Sequence, residues 1–404
     1  MTVRQPNIPF RFRVPGVVQP KWSFSDLHRS CFIDEYESSL NKEICRQYGV
    51  KYCLLLNDAR SGIYFLAKNF GLQGEWITTS FMYQPLSEII RNFCSGFALA
   101  DINKNFTINI ESTRSLIGSN TEVLLVNHFY GKCSEVKALR LLADEHKLFL
   151  IENCVHVPGN TIVDNKPIGS WGDAAIVSFK ADKAFGGIGG GALITNREDV
   201  FNSIKEHVNR EKKYLHTLKY IISNTVAYKL RPCTAVLIRL YNNIQNLSNE
   251  VVPECNDHII NESLYKYSIG SAQAKVALLL SNKLGHLKNN QIEKGRCLSK
   301  LINDVEGISC PEDVAKAPHT YTYFPIVLNS IDRMVFANKL SKNGIETKWR
   351  YHALHSLPFK DVRWHDVSCT NHVLNQNILL PLGIETKLKH LKYIAKCVSE
   401  AMRQ

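Results

Sequence analysis

Short apolar runs alternate with segments of helical periodicity through the first half of the chain. The runs that predict strands are residues 52–56, 75–78, 96–100, 122–127, 147–151, 174–178 and 192–195. The spacing of apolar residues predicts helices at 26–50, from Ser61 onward, at 85–93 and at 134–146, the first capped by Ser25 or Asp26 and ended by Gly49. This alternation indicates an α/β domain with a mostly parallel sheet.

The pattern changes after about residue 200 and divides the chain. Residues 1–25 are rich in proline and predict an extended arm, and a large domain over 26–260 follows, with an apolar, basic insert at about 210–255. Residues 261–404 predict a smaller α+β domain. Its expected elements are helices at 261–291, 295–304, 333–343 and 388–402 and strands at 321–328 and 346–351.

The carboxyl ends of the predicted strands are the expected ligand site, because ligands of parallel sheets bind there. Arg60 and Ser61 stand where the first strand meets a helix, a place whose free N–H groups suit a phosphate. An ordinary strand-to-helix turn explains the same residues equally well.

Lys183 precedes a run with five glycines in six positions, 186–191, between two apolar runs. Glycines let a flat or anionic group approach the backbone, and a lysine held there is a Schiff-base candidate because burial lowers its pKa. A glycine-rich hairpin with a solvated lysine is the plainer alternative. A dinucleotide fingerprint is disfavoured, since these glycines open onto a strand and not a helix.

Composition limits the partners. The chain has 404 residues and a formal net charge of +12, which favours anionic partners or a generally solvated basic surface. Nucleic acid is not expected, since no helix-turn-helix, zinc pattern or aromatic-basic stripe occurs. Residues 219–240 carry only basic charges among apolar residues and could touch an anionic membrane, although such a segment more often covers a site or another subunit.

The twelve cysteines form no C-x-x-C pair, so neither a metal site nor a disulfide framework is expected. Scattered thiols are typical of the reducing cytosol. The sequence shows no apolar leader and no run of 18 apolar residues, which also favours a cytoplasmic protein.

Eight segments occur in an order that is typical of a known family. They are NDARSGIYFL, TTSFMYQP, ALADIN, VNHFYGK, IENCVHVPG, IGSWGDAAIVSFKADKAFGGIGGGALIT, GIETKWRYHALHSLP and ILLPLG. Together they resemble the DegT/DnrJ family of pyridoxal-phosphate-dependent sugar aminotransferases. The resemblance covers roughly 26–200 and 262–400. It implies a fold-type I transferase with a large α/β/α domain and a smaller C-terminal α+β domain, and a homodimer that shares its active site between subunits.

The resemblance also implies residue roles. Lys183 falls on the lysine that binds the cofactor aldehyde and moves protons. Tyr83 falls on the aromatic that stacks on the ring, and Arg60, Ser61 and Ser178 fall on the phosphate positions. Three residues, Trp349, Arg350 and Tyr351, fall where the small domain reaches the substrate, although a strand end packed on the large domain is an equal alternative.

Two positions depart from the family pattern. Asn153 replaces the aspartate whose charge keeps the pyridine nitrogen protonated and the ring an electron sink. His156 replaces a glutamine that meets the phenolic oxygen of the cofactor; an imidazole there could donate and, if protonated, partly offset the missing carboxylate. Outside these two, the acidic residue of the usual glycine run and the asparagine from the partner subunit have no clear equivalents, and Lys266 is offered as a phosphate contact across a dimer.

The expected function is transfer of an amino group to a keto-sugar, nucleotide-linked, with glutamate as donor, in amino-sugar and polysaccharide biosynthesis. Asn153 and the basic insert leave a second possibility, an enzyme of the same fold with another reaction, such as a sugar dehydratase or one with a lipid-linked or acyl substrate. A catalytically silent cofactor-binding regulator is the third, and the presence of Lys183 argues against it.

Overall fold

A computed structural model describes residues 6–9, 11–210, 222, 225, 262–314, 317–357 and 362–403. Most of the proposed insert at 210–255, and with it the membrane segment at 219–240, therefore lies outside the described residues. Within the described part, no helix combines the length and the apolar character needed to cross a membrane.

The strands are numbered in chain order. They are β1 Tyr52–Leu56, β2 Glu75–Thr79, β3 Phe81–Met82, β4 Gly96–Ala100, β5 Thr121–Asn127, β6 Phe149–Asn153, β7 Ile162–Val163, β8 Lys166–Pro167, β9 Ala174–Ser178, β10 Gly191–Thr195, β11 Ile308–Ser309, β12 Phe324–Leu328, β13 His352–Ala353, β14 Val362–Arg363 and β15 Asn377–Leu380. The seven strands predicted before residue 200 are all present, with ends that agree within two residues.

The large sheet has the order β1-β10-β9-β6-β5-β2-β4-β14. From β9 to β14 all neighbours are parallel, and only β10 runs antiparallel to both of its neighbours. Every residue of β6, β9 and β10 is buried, as expected of strands covered on both faces. The predicted α/β architecture with a mostly parallel sheet is confirmed.

The described helices are likewise numbered in order. They are α1 Phe24–Ser30, α2 Tyr36–Tyr48, α3 Ala59–Phe65, α4 Gln84–Phe93, α5 Ile110–Leu116, α6 Val136–Glu145, α7 Glu198–Lys205, α8 Ser271–Ser281, α9 Leu284–Ile302, α10 Arg333–Lys342, α11 Ser368–Gln376 and α12 Leu388–Met402. A π-helical turn, Leu66–Phe70, continues α3.

The helix predicted at 26–50 is two helices, α1 and α2. Its cap is Ser23 and not Ser25 or Asp26, because Ser23 and Asp26 exchange side-chain and backbone hydrogen bonds in a capping box. Gly49 ends α2 as predicted, with a left-handed φ of 63°.

Beyond residue 100, two expectations are wrong and one helix was missed. The helix boundary near 291–295 falls instead at Asn282 and Lys283, and α9 runs on through Gly295. Residues 346–351 form no strand, because Lys348 alone pairs with β15, in an isolated bridge to Leu379, and its neighbours do not continue the ladder. The short helix α5 was not predicted, since its seven residues are mostly polar.

A second sheet, β11-β12-β15, is antiparallel throughout. Its core includes apolar residues of α9, α10 and α12. The chain after 261 does not belong to this unit alone, because Ala274 and Ala277 of α8 lie in a core with α2 and β14 pairs with β4 of the large sheet. The domain boundary near 261 stays a prediction.

The N-terminal arm is held at several points. Arg13 donates its backbone N–H to Gly344 at 2.9 Å, and Val17 donates its own to the buried carboxylate of Glu346 at 2.8 Å. Further along, Lys21 N–H donates to the Gly186 carbonyl at 2.7 Å. The arm therefore packs behind the glycine-rich turn that follows Lys183.

Candidate active site

A cavity of about 260 Å³ opens at the carboxyl ends of the central strands. The residues that line it are Asp58, Ala59, Arg60, Tyr83, Leu86, Asn127, His128, Phe129, Asn153, Val155, His156, Ile176, Ser178, Lys180, Asp182, Lys183, Arg350 and Tyr351. Eight of the ten site residues predicted from the sequence line it, Lys183 among them. The cavity has the place and the residue types of a ligand site in a parallel sheet.

Lys183 reaches this cavity from the turn between β9 and β10. Its Nζ lies 3.0 Å from His156 Nε2 and 3.8 Å from a carboxylate oxygen of Asp182. Burial lowers the pKa of Lys183 to about 8, because desolvation of the ammonium outweighs the attraction of Asp182. Near neutral pH the side chain is therefore an uncharged, nucleophilic amine far more often than an ordinary lysine, although the ammonium still predominates.

His156 is almost fully buried, at 2% exposure. Its Nδ1 accepts the backbone N–H of Tyr130 at 3.2 Å. Burial, and then the charges of Lys183 and Arg350, hold the pKa of His156 well below its usual value. These effects favour the neutral imidazole in the cofactor-free site, and the offset of the missing carboxylate by a protonated His156 stays a prediction.

The turn that presents the Tyr130 N–H is unusual. Tyr130 adopts a left-handed φ of 58°, and Gly131 follows with a φ of 94°. Tyr323 N–H donates to the Tyr130 carbonyl at 3.0 Å and Thr320 N–H to the Gly131 carbonyl at 2.7 Å. The neighbouring chain thus fixes the turn, and with it the direction of the N–H that meets His156.

Asp182 joins the lysine turn to the segment after α10. Its carboxylate accepts from Arg350 Nη1 at 2.9 Å. Burial alone would raise the pKa of Asp182, but Lys183 and Arg350 hold it far below the usual range. Arg350 also lies over the ring of Tyr323, with 4.8 Å from its Cζ to the centroid.

Arg60 and Lys180 share one carboxylate at another edge of the cavity. Arg60 contacts Asp58 through Nη2 at 3.0 Å, and Lys180 Nζ does so at 2.5 Å. Burial would raise the pKa of Asp58, but Lys180 and Arg60 lower it well below the usual range. Two cations and one anion leave this edge positive, as an anion site requires.

Ser61 does not line the cavity, although the sequence suggested a phosphate contact. Its hydroxyl donates to Asn57 Oδ1 at 2.9 Å and its side chain is fully buried. Ser178 does line the cavity, and its hydroxyl accepts from Lys180 N–H at 3.4 Å.

Asn153 ends β6 and takes part in a directional chain of hydrogen bonds. The Thr78 hydroxyl donates to the Leu125 carbonyl at 3.1 Å, so its oxygen is left to accept the amide of Asn127 at 3.1 Å. Asn127 Oδ1 then accepts from Asn153 Nδ2 at 2.8 Å. This chain orients the Asn153 amide, which brings polarity but no charge to the cavity.

Two aromatic residues flank the lysine. Tyr83 is 47% exposed, and its ring centroid lies 6.0 Å from Lys183 Nζ, so its face is available for stacking. Tyr351 lines the cavity with a left-handed φ of 75°. Trp349 is not among the lining residues. It is 2% exposed, and the Cζ of Arg333 lies over its ring, 4.3 Å from the ring centroid.

A buried polar group supports the end of β6 from behind. His128, Glu152 and Cys154 place possible ligand atoms within 4.8 Å of one another. Glu152, however, accepts the N–H groups of Gly169 and Gly172 at 2.9 and 2.7 Å, and it lies 3.3 Å from His128 Nε2. These contacts use the carboxylate as a hydrogen-bond acceptor in a structural network.

Ser80, His355 and Asn371 form a further polar chain near Tyr83. Ser80 Oγ lies 2.6 Å from His355 Nδ1, and His355 Nε2 lies 3.0 Å from Asn371 Oδ1. Ser80 has no exposed surface, so its hydroxyl cannot act as a nucleophile toward a ligand. These hydrogen bonds connect the segment after β2 to the segment that follows β13.

Sequence reasoning missed Asp58, Lys180 and Asp182. All three lie within or next to the strand-end segments that the sequence marked as ligand-facing, and their charge was the available signal. The pairing of Asp182 with Arg350 links residues 168 positions apart and has no local signature.

Comparison with known proteins gives one family across the chain. The sequence model described as the DegT/DnrJ/EryC1/StrS aminotransferase family matches residues 30–399. The dTDP-4-amino-4,6-dideoxy-D-glucose transaminase of Shigella dysenteriae is 21% identical over 98% of both chains. The GDP-perosamine synthase of Vibrio cholerae is 27% identical over a shorter stretch, which covers 50% of this chain and 54% of its own.

Solved structures share the fold. PseC of Helicobacter pylori, an aminotransferase of pseudaminic acid biosynthesis, superposes with a TM-score of 0.75 at 17% identity, covering 97% of this chain and all of its own. The E. coli GDP-4-keto-6-deoxy-D-mannose-3-dehydratase, solved with hydrated pyridoxal phosphate, reaches 0.73 at 14% identity, covering 97% of this chain and all of its own.

Proposed function

Because the chain belongs to the DegT/DnrJ/EryC1/StrS aminotransferase family, we propose that it transfers an amino group from glutamate to a nucleotide-linked keto-sugar. It is a pyridoxal-phosphate-dependent aminotransferase, as its family is. What is proposed is that the amino donor is glutamate and that the acceptor is a nucleotide-linked keto-sugar. The observation that carries it is Lys183, whose amine lies inside a cavity with a positive edge and an exposed aromatic face.

The residues present fit pyridoxal phosphate. Lys183 supplies the amine for its aldehyde, Arg60 and Lys180 supply positive charge for its phosphate, and Tyr83 supplies a face for its ring. When bound, the cofactor supplies an electron-withdrawing ring that stabilises negative charge on a substrate carbon. The roles proposed for Asn153, His156 and Ser178 follow from the resemblance and from their places in the same cavity.

The chain itself performs the proton transfers. Lys183 Nζ, once a free amine, takes the proton from the α-carbon of the amino donor and later returns a proton to the sugar carbon that receives nitrogen. Asp182 lies 3.8 Å from Nζ and stabilises the positive charge that appears there, while Arg350 opposes that charge and pairs with the same carboxylate.

The proposed substrate class agrees with the charges of the site. Arg350 and Tyr351 line the cavity on the side of the C-terminal part and are the proposed substrate contacts. A nucleotide-linked sugar carries two phosphates, and the surplus of basic residues favours such an anion. A homodimer in the cytoplasm, with the site shared between subunits, completes the proposal.

Asn153 favours one second candidate, an enzyme of this fold with another reaction. A neutral amide cannot hold a proton on the ring nitrogen by charge, so the ring is a weaker electron sink. A sugar dehydratase is the concrete form of this candidate, because a dehydratase is among the solved structures that share the fold.

One experiment separates these functions. Purified protein is loaded with pyridoxal phosphate, and its absorption spectrum is recorded before and after addition of glutamate. Borohydride reduction followed by peptide mapping should locate the cofactor on Lys183, and glutamate should convert the cofactor to its aminated form. Capture on Lys183 without conversion by any amino donor contradicts the aminotransferase and favours the dehydratase, and no capture at all contradicts both.

A further inference from the structure

The contact between His156 and Lys183 constrains where the protons are. His156 Nε2 and Lys183 Nζ lie 3.0 Å apart, so one of the two atoms must donate a hydrogen to the other. The other ring nitrogen, Nδ1, accepts the backbone N–H of Tyr130 at 3.2 Å. A backbone amide can only donate, so Nδ1 carries no hydrogen in this arrangement.

A neutral imidazole whose Nδ1 carries no hydrogen must carry its hydrogen on Nε2. Nε2–H can then only donate, and Lys183 Nζ must accept. An ammonium group has no lone pair with which to accept, whereas an amine has one. The geometry therefore fits Lys183 as the uncharged amine. The ammonium could form only if the hydrogen bond from Nε2–H to Nζ, or the one from Tyr130 N–H to Nδ1, were broken.

We propose that His156, held as its Nε2–H tautomer by the Tyr130 amide, is a positioning residue that stabilises the Lys183 side chain as the free amine. The inference rests on the proposed function only in that Lys183 is the reacting amine. It assigns His156 a task before any cofactor is present, in addition to any later contact with the cofactor.

The charged and titratable groups around the pair are consistent with this role. Those that face Lys183 or His156 are Asp182, Arg350, Lys180, Asp58, Tyr83, Tyr130 and Tyr323. Asp182 favours the ammonium, while Arg350 and Lys180 oppose it. These charges act in opposite directions on the protonation equilibrium of Lys183. A hydrogen bond that can form only with the amine therefore shifts this equilibrium toward the amine.

The tautomer is fixed from outside the site. The Tyr130 amide belongs to the left-handed turn that Thr320 and Tyr323 hold by backbone hydrogen bonds. The imidazole itself cannot rotate freely, because it packs edge-on to the ring of Tyr323 at 5.5 Å and parallel to that of Tyr130 at 6.3 Å.

A glutamine at this position would reproduce the same order of donor and acceptor. Its Oε1 can accept the Tyr130 N–H while its Nε2 donates to Lys183, as the two imidazole nitrogens do. A leucine fills similar space and can do neither. His156→Gln and His156→Leu are therefore a matched pair that separates the hydrogen bond from the packing.

The first test reads the tautomer directly. The full-length protein without cofactor, carrying ¹⁵N-labelled histidine, is examined by NMR between pH 6 and 9, with His156→Gln used to assign the signal. A neutral ring with its proton on Nε2 throughout this range is expected. A proton on Nδ1, or a doubly protonated ring at pH 7, overturns the proposal.

The second test reads the amine. Lys183 is labelled by trace acetic anhydride at a series of pH values, and the labelled peptide is quantified by mass spectrometry. Loss of one neutral hydrogen bond should lower the labelling rate of His156→Leu about fivefold at pH 7. The rate should be unchanged at pH 10, where the amine is free in both proteins, and His156→Gln should stay within about twofold of the unaltered protein at every pH.

Other results contradict the role. A His156→Leu rate equal to that of the unaltered protein at pH 7 overturns it, and so does an equal loss in the glutamine and leucine variants. A change of the same size at all pH values indicates altered access and also overturns it. Neither measurement requires cofactor or substrate, so failure of the proposed function, seen as absence of cofactor capture, is distinguishable. If the leucine variant does not fold, the NMR result and the glutamine variant still decide.

Discussion

Arg350 Nη1 lies 2.9 Å from the carboxylate of Asp182, the residue directly before Lys183. The pair connects the two ends of the candidate site, one from the glycine-rich turn and one from the segment after α10. Both side chains retain some contact with solvent, at 23% and 20% exposure. Their interaction is therefore weaker than that of a fully buried pair.

Asp182→Asn should destabilise the fold by about 2 kcal/mol, because it leaves Arg350 without its carboxylate in a largely buried position. Asp182 has a depressed pKa when folded, so its contribution is complete above the unfolded pKa of about 3.9 and is lost only at lower pH. Urea unfolding from pH 5 to 8 should show the largest difference at pH 5 and a smaller one near pH 8, where Lys183 begins to lose the proton that Asp182 stabilises. Asp144→Asn, which breaks an exposed pair with Arg140, should change stability by about 0.5 kcal/mol or less.

Arg60→Met and Lys180→Met should each weaken binding of pyridoxal phosphate about tenfold relative to pyridoxal, which lacks the phosphate. The ratio of the two dissociation constants isolates the anion contact from the ring and aldehyde contacts. Lys68→Met is the control, since Lys68 pairs with Glu262 outside the cavity and should leave the ratio unchanged. Equal weakening of both ligands would refute the phosphate assignment.

Asn153→Asp should lower the stability of the cofactor-free protein by about 1–3 kcal/mol, because a carboxylate cannot donate to Asn127 Oδ1. Bound pyridoxal phosphate should offset this loss, since a protonated ring nitrogen gives the carboxylate a partner. Thermal unfolding with and without cofactor measures the effect. A cofactor-induced rise in Tm no larger than that of the unaltered protein would contradict the placement of Asn153 at the ring nitrogen.

Trp349→Phe should reduce stability by about 1–2 kcal/mol and leave KM for donor and acceptor within about twofold, because the ring packs under Arg333 away from the cavity. Tyr351→Phe alters a residue that lines the cavity, so it should change KM more than it changes stability. A large change of KM in the Trp349 variant with normal stability would contradict this and support the substrate contact that the sequence suggested for Trp349.

Much of the large sheet was predictable, because the strands that cross its centre are continuous apolar runs bounded by turns. The ends of β1, β4 and β9 agree with the prediction, and so do those of α12. The family and the cavity followed from residues at strand ends, whose arrangement is dictated by the direction of the strands. The individual roles of the site residues stay predictions.

The failures have a common physical origin in contacts between distant parts of the chain. Residues 346–351 were expected to be a strand, yet the buried carboxylate of Glu346 accepts the backbone N–H of Val17 in the distant arm. A new helix was expected to start at Gly295, but this glycine lies inside α9, where it makes room for the Tyr321 ring, which a Cβ would meet at 2.3 Å. Neither relationship can be read from local spacing.

The N-terminal arm has a consequence for how the protein is made. Gln19 donates to Thr386 and accepts from the backbone N–H of Glu385, and Lys21 packs against Gly186. During synthesis the arm leaves the ribosome more than 360 residues before its partners Glu385 and Thr386. The packing of the arm behind the glycine-rich turn can therefore be completed only after residues 385 and 386 have been released, so nascent chains that stall before that point should retain the cofactor poorly.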